Sequence, residues 1–178
     1  GEVLLHYMSA QHPTVEVIVV EAYAARLREL LHDGRIDCAV TYNISANEEN
    51  IRTRSLGFEP LHLIASPKLI RKALKSDLVD VPQIGNFPLF FGTLSDEDGI
   101  GRLLIQTSAQ HGVPLNVHHQ VQSLSISRRL LLSEQLATVL PVGVVIDELL
   151  DGSLVAMLIN DPRYLYEVQF AVSKHRNF

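Results

Sequence analysis

Four short stretches hold the residues whose types and spacing could do chemistry: Asp37-Cys38, the adjacent pair His118-His119, the acidic run "SDEDG" at 95–99, and the glycine pair Gly99 and Gly101 in "GIGRLL". A thiolate nucleophile needs a nearby cation or a helix N-terminus. Cys38 instead lies in the apolar run "IDCAVTY", where a free cysteine is expected to be a small core residue. Asp37 opens that run and reads as structural punctuation, accepting nearby backbone N–H groups. Neighbouring residues on a strand point to opposite faces, so His118 and His119 do not share a metal. Neither belongs to a His-Glu-x-x-His pattern. Asp96, Glu97 and Asp98 lack the alternate-position spacing of a cation loop and suit a solvated turn before a helix. Gly-x-Gly without the third glycine is a weak dinucleotide signal. No catalytic residue, metal site or cofactor is expected.

Polar residues gather where strands are expected to end: "TYN" at 41–43, "FGT" at 91–93 and "QSLS" at 122–125. Each stretch alone reads equally well as turn and cap composition. Together they suggest a small-molecule cleft, because open α/β sheets bind ligands beyond their strand C-termini and helix starts there offer free N–H groups.

The elements themselves follow from periodicity. Val3, Leu4, Leu5 and Met8 predict a helix over 3–11, ended by His12-Pro13. "VEVIVVE" at 15–21 predicts a strand. Leu27, Leu30 and Leu31 predict a helix stopped at Gly34. "IDCAVTY" predicts a parallel strand covered on both faces. "IRTRSLGFEPLHLIAS" predicts two extended pieces bent near Gly57. Further strands are expected at 88–91, "NVHHQVQS", "LATVLP", "LVAML" and "YEVQFAVS". Helices are expected at "GIGRLLIQTSAQHG", at "LSISRRLLLSE" with Ser123 as N-cap, and at "VVIDELLDG". The alternation argues for α/β with largely parallel sheets.

With 178 residues and 47% hydrophobic residues the chain can bury a full core; 20% charged residues argue against disorder. A net charge of −5 leaves no electrostatic footprint for nucleic acid. One cysteine precludes an internal disulfide, and no run approaches the ~20 apolar residues of a membrane span. The sequence starts without Met or a signal peptide, and reads as a segment of something longer.

The run "HPTVEVIVVEAYAARLRELLHDGRIDCAV", then "SLGFEPLHLIASP", "FPLFFG", "HGVPLNVHHQVQSLSISRRLL", "ATVLP" and "DGSLVAMLINDP", resembles the effector-binding domain of LysR-type transcriptional regulators over nearly the whole chain. The second half resembles the nitrogen-assimilation-control-like branch. Where the family usually has two glycines, this chain has Glu134 and Leu136, which bears on the local turn. The family's first strand, its winged helix-turn-helix domain and its linker helix fall outside the segment.

The resemblance implies two Rossmann-like lobes joined by a two-crossing hinge, as in periplasmic binding proteins. Lobe I would be 1–66 plus 142–178, and lobe II 67–141, with crossings near the proline-marked pauses at 66–67 and 141–144. The expected ligand-binding set is Tyr23, Thr41, Tyr42, Asn43, Gly92, Thr93, Ser123 and Leu124. The expected function is effector sensing by a cytoplasmic bacterial regulator, with a small, polar or anionic molecule as partner. The domain is expected to form a homodimer, with a tetramer open to the full-length protein, and to meet DNA only through the missing N-terminal domain. A periplasmic solute-binding protein for transport is the alternative, and a small α/β enzyme is a third reading.

Overall fold

A computed structural model describes residues 2–73, 78–94 and 99–175. The acids Asp96, Glu97 and Asp98 lie outside the described residues. Helix α1 (Glu2–Gln11) is followed by α2 (Ala24–His32), which turns the chain into strand β1 (Cys38–Tyr42). Leu30 and Leu31 are the buried residues of α2. Gly34 ends the junction at φ +65°, and its N–H bonds the Leu31 carbonyl at 3.1 Å. A left-handed turn there costs glycine little. Asp37 sits just before β1, and its carbonyl accepts the Ser173 N–H at 3.0 Å.

Strand β2 (Ile51–Ala65) is a single 15-residue element, with a register irregularity between Ser55 and Gly57 rather than a break. It is the spine of the molecule. Its first part, Ile51–Pro60, pairs antiparallel with the last strand, which runs from Leu165 to Ser173. Its second part pairs antiparallel with two other strands, at Thr138–Pro141 and Val155–Ile159. After β2 the chain forms α3 (Pro67–Ala73), β3 (Leu78–Val79), α4 (Val81–Ile84), β4 (Leu89–Phe91), α5 (Ile100–Gln110), β5 (Val117–Gln120), α6 (Leu124–Leu132), β6 (Thr138–Pro141), α7 (Ile146–Leu150), β7 (Val155–Ile159) and β8 (Leu165–Ser173). Short 3₁₀ turns occupy Val142–Val145 and Pro162–Tyr164.

Two sheet regions result. The smaller contains β1, β8 and the first part of β2; the larger contains β6, the second part of β2, β7 and β3, with the parallel pair β4–β5 bridged to β6 through Leu89 and Ala137. The larger region is covered on both faces. Along β4, Leu89 and Phe91 join one core with Leu61, Leu104 and Val139, while Phe90 points into a second core with Ile64, Leu131 and Leu140. That is the period-2 alternation of a strand buried on both sides. The smaller region has a modest core under α2, made by Leu31, Ile44, Ile51 and Ala171.

Four expectations from the sequence are corrected here. The stretch Val15–Glu21 forms no strand, and Val15, Ile18, Val19 and Val20 are exposed. β-Branched residues favour a strand only where a neighbour completes the ladder, and β1 pairs with β8 alone among the described residues. Strand β1 is antiparallel and alternates in burial, not parallel and covered on both sides. Cys38 is accordingly exposed on the open face rather than buried. The sheets are mostly antiparallel; β3–β7 and β4–β5 are the parallel pairs among the described strands. The ladder partner of the spine changes between Pro60 and Leu61 on β2, opposite Leu165 on the last strand.

Candidate ligand cleft

The cleft lies where the two sheet regions meet, at the ends of β1, β4 and β6. From the smaller region β1 delivers Tyr42. Its phenol donates to Glu59 Oε2 at 2.9 Å, and burial with this bond pushes the hydroxyl's pKa far up, so it stays protonated. Asn43 follows in the left-handed region at φ 48°, a conformation that asparagine tolerates. Its Oδ1 accepts the Glu167 N–H at 2.7 Å, which fixes the turn. Thr41 points the other way: it is buried, does not line the cleft, and its Oγ1 has no hydrogen-bond partner among the described residues.

From the larger region β4 delivers Gly92 and Thr93, and α6 delivers Ser123 and Leu124. Ser123 is the α6 N-cap, accepting the Ile126 N–H at 3.4 Å. Gly92 is small for a reason: a Cβ there would stand 3.2 Å from the Tyr23 ring. Gly101, the second glycine of the Gly-x-Gly pair, packs α5 against the Thr93 carbonyl, which a Cβ would approach to 2.8 Å. That motif is therefore a packing device.

The space divides in two. An inner cavity of about 150 Å³ is bordered by Tyr42, Phe91, Ile100, Leu124, Leu140 and Val144. An outer cavity of about 480 Å³ is bordered by Glu21, Arg26, Glu29, Gln122, Ser123 and Ser125. Tyr23, Gly92, Thr93 and Leu124 border both. The structure thus brings together seven of the eight residues expected from the sequence, Tyr23, Tyr42, Asn43, Gly92, Thr93, Ser123 and Leu124, and leaves out Thr41. Sequence reasoning missed Arg28, Ile100, Thr138, Val144 and Tyr166. Arg28 lies on a helix read as scaffold, and Thr138 is a buried strand residue whose hydroxyl donates to the Phe90 carbonyl at 2.6 Å. Nothing local marks either as facing a cleft.

Charge at the site is small. Arg26 bonds Glu29 at 2.6 Å on the exposed rim. Behind the outer cavity Arg128 makes two bonds to Glu148, at 2.7 and 3.0 Å, tying α6 to α7. These bonds hold the Glu148 carboxyl below the usual carboxylate range. Among the described residues no group of three or more His, Cys, Asp or Glu could hold a metal ion, and no helix is long and apolar enough to cross a membrane.

A family model described as "LysR substrate binding domain" matches residues 4–177. The chain belongs to the LysR substrate binding domain family. This domain has the two-lobed α/β architecture of periplasmic binding proteins, and its family is one of transcriptional regulators. Solved structures agree on the fold. The regulatory domain of CcmR from Synechocystis PCC6803, in complex with 2-PG, has a TM-score of 0.76 at 15% identity, covering 99% of this chain and 83% of that one. The effector-binding domain of QuiR, in complex with shikimate, gives 0.73 at 17%, covering 99% and 81%. Full-length CbnR complexed with its target DNA gives 0.69 at 14%, covering 99% of this chain but 59% of that one. The domain therefore spans about three-fifths of a full-length regulator of this kind. Comparison with curated protein sequences finds no relative.

Proposed function

We propose that this LysR substrate binding domain senses a small polar molecule in the cleft between two lobes. Lobe I comprises 2–60 and 165–175, and lobe II comprises 61–164. The observation that carries the reading is the lining of one cleft from both sides: Tyr42 and Asn43 from lobe I, Phe91, Thr93 and Leu124 from lobe II. Because the ladder changes partner at only two places along the chain, a ligand held from both sides biases how the lobes sit. Such a bias transmits only the difference in ligand affinity between the two arrangements. The relatives bound to shikimate and to 2-PG support a small polar ligand. Glu21 and Glu29 are matched by Arg26 and Arg28 in the same lining, so the cleft carries no marked excess of either charge.

In the whole regulator the lobe arrangement would set how a separate domain engages DNA, in the cytoplasm. This domain carries a net −5 and does not bind DNA by itself. It works as a homodimer. Val3, Leu4 and Tyr7 on α1, and Ile126 and Leu132 on α6, are exposed apolar residues that a two-fold interface would cover. Leu131 of the same helix belongs to the core. The cleft is tested by isothermal titration with the compound that most raises the melting temperature in a screen of small polyols, hydroxy acids and aromatic alcohols. Thr93→Ala weakens that binding at least threefold with the melting temperature of the free protein little changed. Ser123→Ala weakens it too, but loses the helix cap, at a cost of about 1 kcal/mol of stability. Unchanged affinity in both variants places the ligand elsewhere.

A further inference from the structure

The two lobes touch through a side-chain hydrogen bond that spans 104 residues of sequence. Tyr23, the N-cap residue of α2 in lobe I, places its hydroxyl 2.8 Å from Ser127 Oγ on α6 in lobe II. Ser127 is buried, so its hydroxyl has been withdrawn from water and the phenol satisfies it. The Tyr23 ring rests on Gly92 and packs against the lobe II core containing Phe90 and Leu131.

Tyr23 also borders both cavities, so it stands at the partition between them. The inner one, about 150 Å³ with a mainly apolar lining, is the size of an engineered cavity that holds benzene. The outer one offers hydroxyls and an amide from Thr93, Ser123, Ser125 and Gln122, with Glu21 and a paired Glu29 beside them. A ligand long enough to use both lies along Tyr23, Gly92, Thr93 and Leu124, which border both. Opening costs the net worth of one hydrogen bond, which is modest.

We propose, on the reading that the interlobe cleft is the ligand site, that Tyr23 is a displaceable latch selecting a compact amphiphile. An apolar body of about six heavy atoms sits in the inner cavity, and a neutral hydroxyl or amide end reaches the outer one. Entry breaks the Tyr23–Ser127 bond and so couples occupancy to lobe arrangement.

The test uses benzyl alcohol as probe, followed by methyl NMR on the whole domain. Glycerol serves as the polar-end control and benzoate as the anionic-end control. Benzyl alcohol is expected to shift the methyls of Ile100, Leu124 and Val144 saturably, benzoate more weakly, and glycerol to leave Ile100 and Val144 unmoved. Tyr23→Phe and Ser127→Ala each remove one hydroxyl of the latch. Each should bind benzyl alcohol about two- to tenfold tighter, the net worth of one hydrogen bond. The double variant should bind no tighter than either single. Unchanged affinity in Tyr23→Phe, additive gains in the double variant, or shifts confined to the outer cavity overturn the latch while leaving the cleft in place. Failure of the cleft reading looks different: saturable shifts on α1 or the open face of β1, with none at Leu124. Should Ser127→Ala unfold α6, Tyr23→Phe, which keeps the ring on Gly92, decides alone.

Discussion

Gly101→Ala tests whether the Gly-x-Gly pair serves packing. At Gly101 a Cβ would lie 2.7 Å from Leu94 Cδ2 and 2.8 Å from the Thr93 backbone oxygen. The leucine can rotate away; the carbonyl cannot. Ordinary contact begins at 3.4 Å, so the start of α5 and the Thr93 segment must part by about 0.6 Å (3.4 minus 2.8). Overpacking of this kind costs about 1–3 kcal/mol, against a helix-propensity gain of up to about 1 kcal/mol for alanine. The net expectation is a loss of about 1–2 kcal/mol, or about 2–8 °C in melting temperature for a domain of this size. Thr93 lines both cavities, so ligand affinity should fall with it. Thermal unfolding by circular dichroism, paired with titration calorimetry on the same sample, reads both. A melting temperature equal to or above wild type, with unchanged affinity, refutes the packing argument, since propensity alone would then have decided.

Three further outcomes are expected. Arg128→Met leaves Glu148 unpaired and costs about 1–2 kcal/mol, between the values for surface and buried pairs, read by urea unfolding. The folded-state pKa of Glu148 lies below its ordinary 4.5, so the pair's contribution is full above pH 4.5 and lost as pH falls through the folded value; the Arg128→Met melting curve should be flatter with pH in that acid window. Glu134 holds φ 62° where the family usually has glycine, so Glu134→Gly should raise stability by about 0.5–1 kcal/mol. The lost Lys68–Glu134 pair is exposed and subtracts little. In sedimentation equilibrium at tens of micromolar the domain is dimeric, and Leu5→Glu or Ile126→Glu yields a folded monomer; a monomeric wild type sinks the dimer.

Much of the fold is legible because local signals and tertiary packing agree. The α2–Gly34–β1 junction, the buried β4, the Ser123-capped α6 and strands β5 to β8 all follow from periodicity and caps. The failures share one cause: partners distant in sequence. Val15–Glu21 has the composition of a strand, yet no ladder neighbour meets it. Cys38 has the composition of a core residue, but β1 is covered on one face only. Strand direction in the smaller sheet depends on β8 lying between β1 and β2, which no local pattern encodes. For the cleft, strand ends and helix starts located Tyr42, Asn43, Thr93 and Ser123, whereas Thr41 was carried along by its neighbours although the pleat turns it to the opposite face. Ser127 as the partner of Tyr23 was invisible, because a serine inside an amphipathic helix carries no sign of a contact 104 residues away.

The most direct test of ligand sensing in the interlobe cleft is a methyl and amide shift map of the domain, titrated with the strongest stabiliser from the thermal screen. Saturable shifts are expected from both lobes at once, at Asn43 and Ile44 on one side and at Thr93, Ile100, Leu124 and Val144 on the other. Saturable binding that shifts one lobe only, or that centres on α1 or on Val40 and Phe170 of the open sheet face, would contradict it.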